Sequence, residues 1–268
     1  MIKFVATDID GTILVPEGQF TKSVKECIKT LNTNGIKVVL VTGRMHQAAQ
    51  QIADELGLDT PIVSYQGGLI RENNKTLYEQ CLTKSQTIKI INWARTENIH
   101  INLYNNDVLY TELDNYEIQR YSKRQNVNYI VKSFDNVEKN KVNKILAIDY
   151  DNSDRINFYE KELPNIFPEL YIVKSTTNFL EFSNPKASKF HAVKYLQNYW
   201  NFNDDEILTI GDQNNDIELL KAGGIKIAMG NATKELKSVA DYITDTVQND
   251  GFVKAMEKFV QSFDTQLT

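Results

Sequence analysis

The sequence predicts an α/β fold, a doubly wound, Rossmann-like parallel sheet into which an α+β unit is inserted. Three observations carry that expectation. Short apolar runs alternate with stretches of helical spacing over residues 2–64. Near residue 83 this gives way to hairpin-like runs, and strand–helix alternation returns after residue 188. Strands that alternate with helices imply parallel pairing through right-handed crossovers, whereas hairpins imply antiparallel pairing. At 268 residues the chain has room for both units, and 41% hydrophobic with 24% charged residues is the usage of a globular core and its surface.

The elements follow in order. Residues 2–7 are a short apolar run ending in Asp8-Ile9-Asp10-Gly11-Thr12, a buried strand that delivers acids at its carboxyl end. Residues 21–31 carry Val24, Ile28 and Leu31 at helical spacing, with Thr21 as cap and Asn34-Gly35 as stop. A second strand, 37–41, ends in Thr42-Gly43-Arg44; a helix over 45–56 and a third strand over 61–64 complete a β-α-β-α-β series of parallel strands. In the middle, 99–104 and 107–111 form a hairpin around Asn105-Asn106, followed by a polar helix over 116–125, a strand over 144–148, a helix over 153–163 and strands over 171–173 and 179–182. The last part adds a helix over 188–199, a strand over 206–210, a helix over 216–221 and a strand over 225–229. Pro totals only 5 and no low-complexity linker occurs, so the junctions near Thr83 and Lys186 read as short hinges. The expected division is a core of residues 1–82 and 187–268 with an insertion of residues 83–186.

Charge and cysteine usage narrow the function. A net charge of −5 has the wrong sign for a surface built to hold nucleic acid. No segment approaches the roughly 18 apolar residues of a membrane span, and the apolar start is too brief for a leader. Cys27 and Cys81, in no Cys-x-x-Cys spacing, suit a reducing cytoplasm. The expectation is a cytoplasmic protein without nucleic-acid, membrane or obligate protein partners.

Asp8 and Asp10 lie where ligands bind in open α/β sheets, in the crevice outside the carboxyl ends of the strands. A turn stabilised by its own acids is the plainer reading of such a pair. A calcium loop is excluded by Ile13, which occupies the position that needs glycine, and the run 212–217 fails the same test at Ile217. P-loop and dinucleotide glycine patterns are missing, which leaves an acid-built, metal-dependent site. Thr42, Lys189, and Gly211-Asp212 fall at strand or helix ends of the same sheet. Each alone reads as a cap, a surface lysine or a turn, but their joint placement does not read as coincidence.

These residues resemble the haloacid dehalogenase-like hydrolases, specifically the Cof-type sugar-phosphatase branch with a type IIB cap. Asp8-Ile9-Asp10-Gly11-Thr12, Val41-Thr42-Gly43-Arg44, Ser188-Lys189 and the run 211–216 look like its four motifs, and 228–232 and Asp250-Gly251 match runs usual in the branch. Two departures stand out: Tyr65-Gln66-Gly67-Gly68 replaces the usual Asn-Gly-Ala, and Phe190 stands where Gly is common, so no binding role passes to Gln66.

The resemblance implies phosphoryl transfer through an aspartyl-phosphate on Asp8, with Mg²⁺ as cofactor held by Asp8, Asp212, the Asp10 backbone carbonyl and, through water, Asp216. Asp10 is implied as general acid and then base, and Thr42 and Lys189 as catalytic groups holding the phosphoryl oxygens. Gly11, Thr12, Gly43, Arg44 and Asn215 are implied phosphate or substrate contacts. Four carboxylates against one Mg²⁺ and one lysine leave a single net negative charge, so neither cation is dispensable. The insertion lies between the second and third motifs, the type II arrangement, and would cap the crevice and select the substrate.

The expected substrates are small phosphorylated metabolites, sugar phosphates or cofactors such as pyridoxal phosphate or flavin mononucleotide. A phosphosugar mutase and a non-enzymatic metabolite-binding protein are the alternatives. The three histidines (His46, His100, His191), Trp93, Trp200 and the acidic run 149–154 read as structural or solvated. The basic stretch 120–124 reads as a solvated helix face, with contact to an anionic substrate on cap closure as the alternative.

Overall fold

A computed structural model describes residues 1–16, 18–73 and 75–260, so residues 261–268 of the expected core lie outside the described residues. It opens with β1 (Phe4–Thr7), α1 (Lys22–Thr33), β2 (Lys37–Leu40), α2 (His46–Leu56) and β3 (Ile62–Ser64). β1 is buried at every position, as a central strand covered on both faces must be. α1 begins where the Thr21 side chain accepts a hydrogen bond from Val24 N, and α2 ends on Gly57 in the left-handed conformation.

The third strand keeps the expected parallel neighbour and adds an antiparallel one. It touches the parallel sheet through one bridge, Val41 to Val63, and otherwise pairs antiparallel with β4 (Leu69–Glu72), which in turn pairs with β5 (Lys75–Glu79). The intervening turn is the cause: Tyr65, Gln66 and Gly67 all have positive φ and reverse the chain. Two consecutive non-glycine residues in that region are backbone strain of the kind that collects at functional sites.

The next segment holds α3 (Lys84–Glu97), β6 (His100–Asn105), β7 (Val108–Thr111), α4 (Tyr116–Gln125), β8 (Ile130–Val131), β9 (Val142–Ile148), α5 (Ser153–Ile166), β10 (Tyr171–Thr176) and β11 (Phe179–Ser183). They build one sheet in the order β10-β11-β9-β6-β7-β8. α3 was not anticipated from periodicity, although Thr83 and Gln86 form a capping box at its start. The β6–β7 hairpin turns at Asn106-Asp107, both left-handed, one residue beyond the expected turn.

The chain then returns through α6 (Lys189–Trp200), β12 (Ile207–Gly211), α7 (Ile217–Lys221), β13 (Ile225–Ala228), α8 (Lys234–Val239), β14 (Tyr242–Ile243) and α9 (Gly251–Phe259). The parallel sheet runs β14-β13-β12-β1-β2. Its chain order reverses beside β1, the switch point at which a crevice opens. No described helix is long and apolar enough to cross a membrane.

One apolar cluster fills the parallel-sheet layer and a second packs α3 and α5 against the other sheet. A third joins the two layers, with Met45, Tyr65 and Leu69 against Tyr104, Tyr121 and Phe179. The opposite face of the six-stranded sheet is thereby held against the strand ends of the parallel one. Trp93 packs on Tyr159 and Phe182, and Trp200 sits edge-on to Phe4, so both tryptophans are packing residues.

Candidate active site

β1 and β12 are parallel neighbours in register, Thr7 beside Ile210, so the residues that follow them, Asp8 and Asp212, emerge side by side. Asp216 joins them from a single helical turn (Asn214–Asp216), where its Oδ2 accepts the backbone amides of Asp212 and Gln213, each at 3.0 Å. All three carboxylates are buried, with oxygens within 4.8 Å of one another. Gly11 is required at the rim, because its φ is +79° and a Cβ there would run into the Asp212 carboxylate.

Lys189 enters from the first turn of α6, where Ser188 caps the helix. Its buried Nζ donates to Asp8 Oδ1 at 2.7 Å and Asp216 Oδ1 at 2.6 Å. One cation thus faces three buried acids, and Asp212 Oδ1 is buried without a hydrogen-bond partner among the described residues. Clustered hard oxygens with excess negative charge and an unpartnered carboxylate oxygen fit a divalent cation. Both Asp216 oxygens are engaged, one by Lys189 and one by backbone amides.

Burial pushes the Asp8 carboxyl up from 3.8 to about 7, with Lys189 opposing and Asp216 and Asp10 adding to the rise. Burial, then Asp216 and Asp8, push Asp212 to about 8. Between the ordinary carboxylate value and these values the folded metal-free protein holds protons that the unfolded chain has released. The two groups' contribution to stability therefore falls as pH rises through that window. A divalent cation replaces those protons, so Mg²⁺ is expected to raise the melting temperature more at about pH 8.5 than at about pH 5.5. Thermal melts with Mg²⁺ or EDTA at the two pH values check this, and equal shifts at both would contradict it.

Asp10 stands apart from the three-carboxylate cluster. Arg44 grips it with both arms of its guanidinium, Nε to Oδ2 at 2.8 Å and Nη2 to Oδ1 at 2.6 Å. Burial works against ionisation, but the Arg44 hydrogen bonds and charge prevail and hold the Asp10 carboxyl below its usual range. The Asp10 side chain thus lies outside the three-carboxylate group, which leaves its backbone carbonyl for the expected metal role, and Arg44, an implied phosphate or substrate contact, is engaged by this acid. Thr42 follows β2 at the next strand end, with its Oγ1 accepting from Arg44 N at 3.1 Å. Thr12 Oγ1 is buried without a partner among the described residues.

Sequence reasoning missed a chain of buried hydrogen bonds that crosses between the two layers. Asn215 Nδ2 donates to Gln66 Oε1 at 3.2 Å, and Gln66 Nε2 donates to Glu181 Oε2 at 3.1 Å. Lys144 Nζ donates to the same Glu181 oxygen at 3.0 Å and to the Gly43 carbonyl at 2.5 Å. Asn215, an implied phosphate or substrate contact, thus meets Gln66. The Lys144 and Glu181 side chains are 2% and 4% exposed, an ion pair inside β9 and β11, which are otherwise apolar apart from Asn143 and Ser183. A Lys and a Glu in two such fully buried strands is the signal that sequence could have offered.

These groups line a cavity of about 80 Å³ bounded by Asp8, Asp10, Thr42, Gln66, Lys144 and Glu181 among others. The histidines are not part of it: His100 bonds Asn102, His191 bonds Ser188, and His46 is the buried first residue of α2.

A family model described as haloacid dehalogenase-like hydrolase matches residues 5–256. The phosphatase YwpJ of Bacillus subtilis is 28% identical over 284 residues, covering 96% of this chain and 99% of that protein. The 5-amino-6-(5-phospho-D-ribitylamino)uracil phosphatase YcsE of the same organism is 27% identical over 259 residues, covering 97% of this chain and 96% of that protein. A solved haloacid dehalogenase-like hydrolase from Bacteroides thetaiotaomicron shares the fold with a TM-score of 0.85 at 25% identity, covering 96% and 99% of the two chains.

Proposed function

Because the chain belongs to the haloacid dehalogenase-like hydrolase family, we propose that it is a Mg²⁺-dependent phosphatase of small phosphomonoesters that works through an aspartyl-phosphate on Asp8. The observation that carries this is the buried Asp8 carboxylate bonded to Lys189 beside the unpartnered Asp212 oxygen, at the floor of a cavity that the six-stranded layer closes. Residues 1–82 and 187–260 are the catalytic part in this reading, and residues 83–186 the cap that excludes water and selects the leaving group.

Asp8 and Asp212, with the Asp10 backbone carbonyl, would hold the metal, and Asp216 would fix both Lys189 and the Asp212 loop. Bound Mg²⁺ supplies positive charge to the phosphoryl oxygens and the nucleophile. Lys189 supplies the fixed cation that lets a carboxylate approach a phosphate dianion, and the Thr42 hydroxyl and backbone amides of residues 10–12 hold phosphoryl oxygens. An Asp8 oxygen attacks phosphorus as the ester P–O bond breaks, and Asp10 gives its proton to the leaving alcohol oxygen. Asp10 then takes a proton from a water whose oxygen attacks phosphorus, releasing phosphate and restoring the Asp8 carboxylate. Arg44 stabilises the ionised Asp10, the form the second step needs, and the proton that Asp10 gives in the first step is the one it took from water in the preceding turnover, supplied by solvent for the first turnover.

Phosphate release from sugar phosphates, nucleotides, pyridoxal phosphate, flavin mononucleotide and an aryl phosphate, with Mg²⁺ or EDTA, tests the reading. Isomerised sugar phosphate in place of free phosphate would make the protein a mutase, and no turnover of any substrate a binding protein. Asp10→Asn is expected to lower turnover about 100- to 10,000-fold, the usual worth of a general acid–base. It should also let phosphorylated Asp8 accumulate in acid-quenched samples measured by intact mass. Turnover close to wild type in that variant would remove Asp10 from the mechanism.

A further inference from the structure

A second cavity, of about 610 Å³, opens from the Asp10 side of the site, between the core segment that follows Asp10 and the insertion's α4 and β10–β11 turn. Its charged lining is Asp10 and Asp212 against Arg44, Arg120 and Arg124. Asp10 is matched by Arg44, and Asp212 belongs to the carboxylate cluster. The remaining cations are unmatched: ion pairs among the described residues engage Arg44, Arg71, Arg95 and Arg155 but neither Arg120 nor Arg124.

Arg120 and Arg124 are four residues apart on α4, so they project from one face. Two like charges at that spacing weaken a helix slightly, and no ion pair among the described residues engages either. Arg120 is nevertheless held in place, its guanidinium 4.1 Å from the Tyr150 ring centroid and bonded to the Tyr116 hydroxyl at 2.8 Å. Arg124 lines both this cavity and the smaller one at Asp8, and so stands between the reacting centre and the larger space. The facing wall is polar, made by residues 175–178.

A phosphomonoester whose phosphorus sits at Asp8 must lay its alcohol portion into this space. A neutral alcohol would offer neither guanidinium an ion-pair partner, and none among the described residues supplies one. We propose that the cavity is a subsite for a second anionic group, a carboxylate or a further phosphate, carried by the leaving alcohol and bound by Arg124 and Arg120. A guanidinium presents a planar fork that matches either oxyanion through paired charge-assisted hydrogen bonds. The inference rests on the phosphatase reading and narrows its substrate class to doubly anionic metabolites.

The test compares kcat/KM within matched pairs, 6-phosphogluconate against glucose 6-phosphate and fructose 1,6-bisphosphate against fructose 6-phosphate, with p-nitrophenyl phosphate as a substrate lacking any second anion. The anionic member of at least one pair is expected to be preferred about 10- to 100-fold, the range a charge-assisted hydrogen bond supplies. Which pair shows the larger ratio distinguishes carboxylate from phosphate. In Arg124→Gln, and less strongly in Arg120→Gln, the ratio should fall towards one. Lys123→Gln removes a charge from the same helix outside the cavity and should keep the ratio. Mg²⁺-dependent release from p-nitrophenyl phosphate with ratios near one, or ratios untouched by both arginine variants, overturns the subsite and leaves the phosphatase reading standing. No release from any of the five substrates overturns that reading and the subsite together.

Discussion

Asp8→Asn is expected to lower phosphate release about 10,000-fold or more while leaving a folded protein, because an amide cannot replace the carboxylate that attacks phosphorus. The two halves of that result have separate causes. Catalytically, Asp8 is the group at the floor of the cavity that both follows β1 directly and contacts Lys189 at 2.7 Å. Structurally, the substitution keeps the side chain's shape and removes one of three crowded acids, and Lys189 retains its 2.6 Å bond to Asp216. The metal-free variant should therefore melt no lower than wild type, whereas its stabilisation by Mg²⁺ should shrink because one ligand oxygen has lost its charge. Phosphate release and melting curves with and without Mg²⁺ read both halves. Near-wild-type turnover would mean that a different group attacks phosphorus, and a variant that fails to fold would mean that Asp8 serves the fold itself.

The residues around that centre were legible in sequence because each follows an element with a strong local pattern. Asp8 and Asp212 come directly after short apolar strands, Thr42 two residues after another, and Lys189 stands at a helix start marked by Ser188. A parallel sheet then places strand ends together without further information. The pairing of partners was not legible. Asp10 and Arg44 are 34 residues apart and each reads alone as a phosphate-site residue, so their mutual fork depends on side-chain directions that periodicity does not encode. The Gln66, Glu181 and Lys144 network joins positions 115 and 37 residues apart across two layers. Lys144 and Glu181 meet only because β9 and β11 pair with Leu146 opposite Glu181, which puts Lys144 diagonally adjacent. The antiparallel strand that β3 gains on its other side follows from two left-handed non-glycine residues, Tyr65 and Gln66, for which no propensity argues. Helix α3 is the opposite case: its capping box at Thr83 and Gln86 was present, but its apolar stripe, buried at Thr87, Ile90, Ile91 and Ala94, is narrow.

Lys189→Met is expected to destabilise the protein by about 3–5 kcal/mol near neutral pH, the usual consequence of breaking a buried ion pair from one side. The side chain is 1% exposed and is the one cation in contact with both Asp8 and Asp216. Its loss leaves Asp8, Asp212 and Asp216 buried together with their mutual repulsion uncompensated. Protonation relieves that repulsion, so the loss should be smaller at about pH 5 than at about pH 8, opposite to what a simple packing defect would give. Urea unfolding of wild type and variant at the two pH values measures it. Lys189→Arg should not rescue, since a planar guanidinium does not fit a slot built for one compact ammonium between two carboxylates. Combining Lys189→Met with Asp8→Asn provides the discriminating measurement. If the lysine acts through charge, removing one of the acids it neutralises should recover part of the loss, and the double variant should be more stable than the lysine variant alone. If the two losses simply add, Lys189 holds the site by packing, and the positive charge needed to bring a carboxylate onto a phosphate dianion has to come from the metal alone.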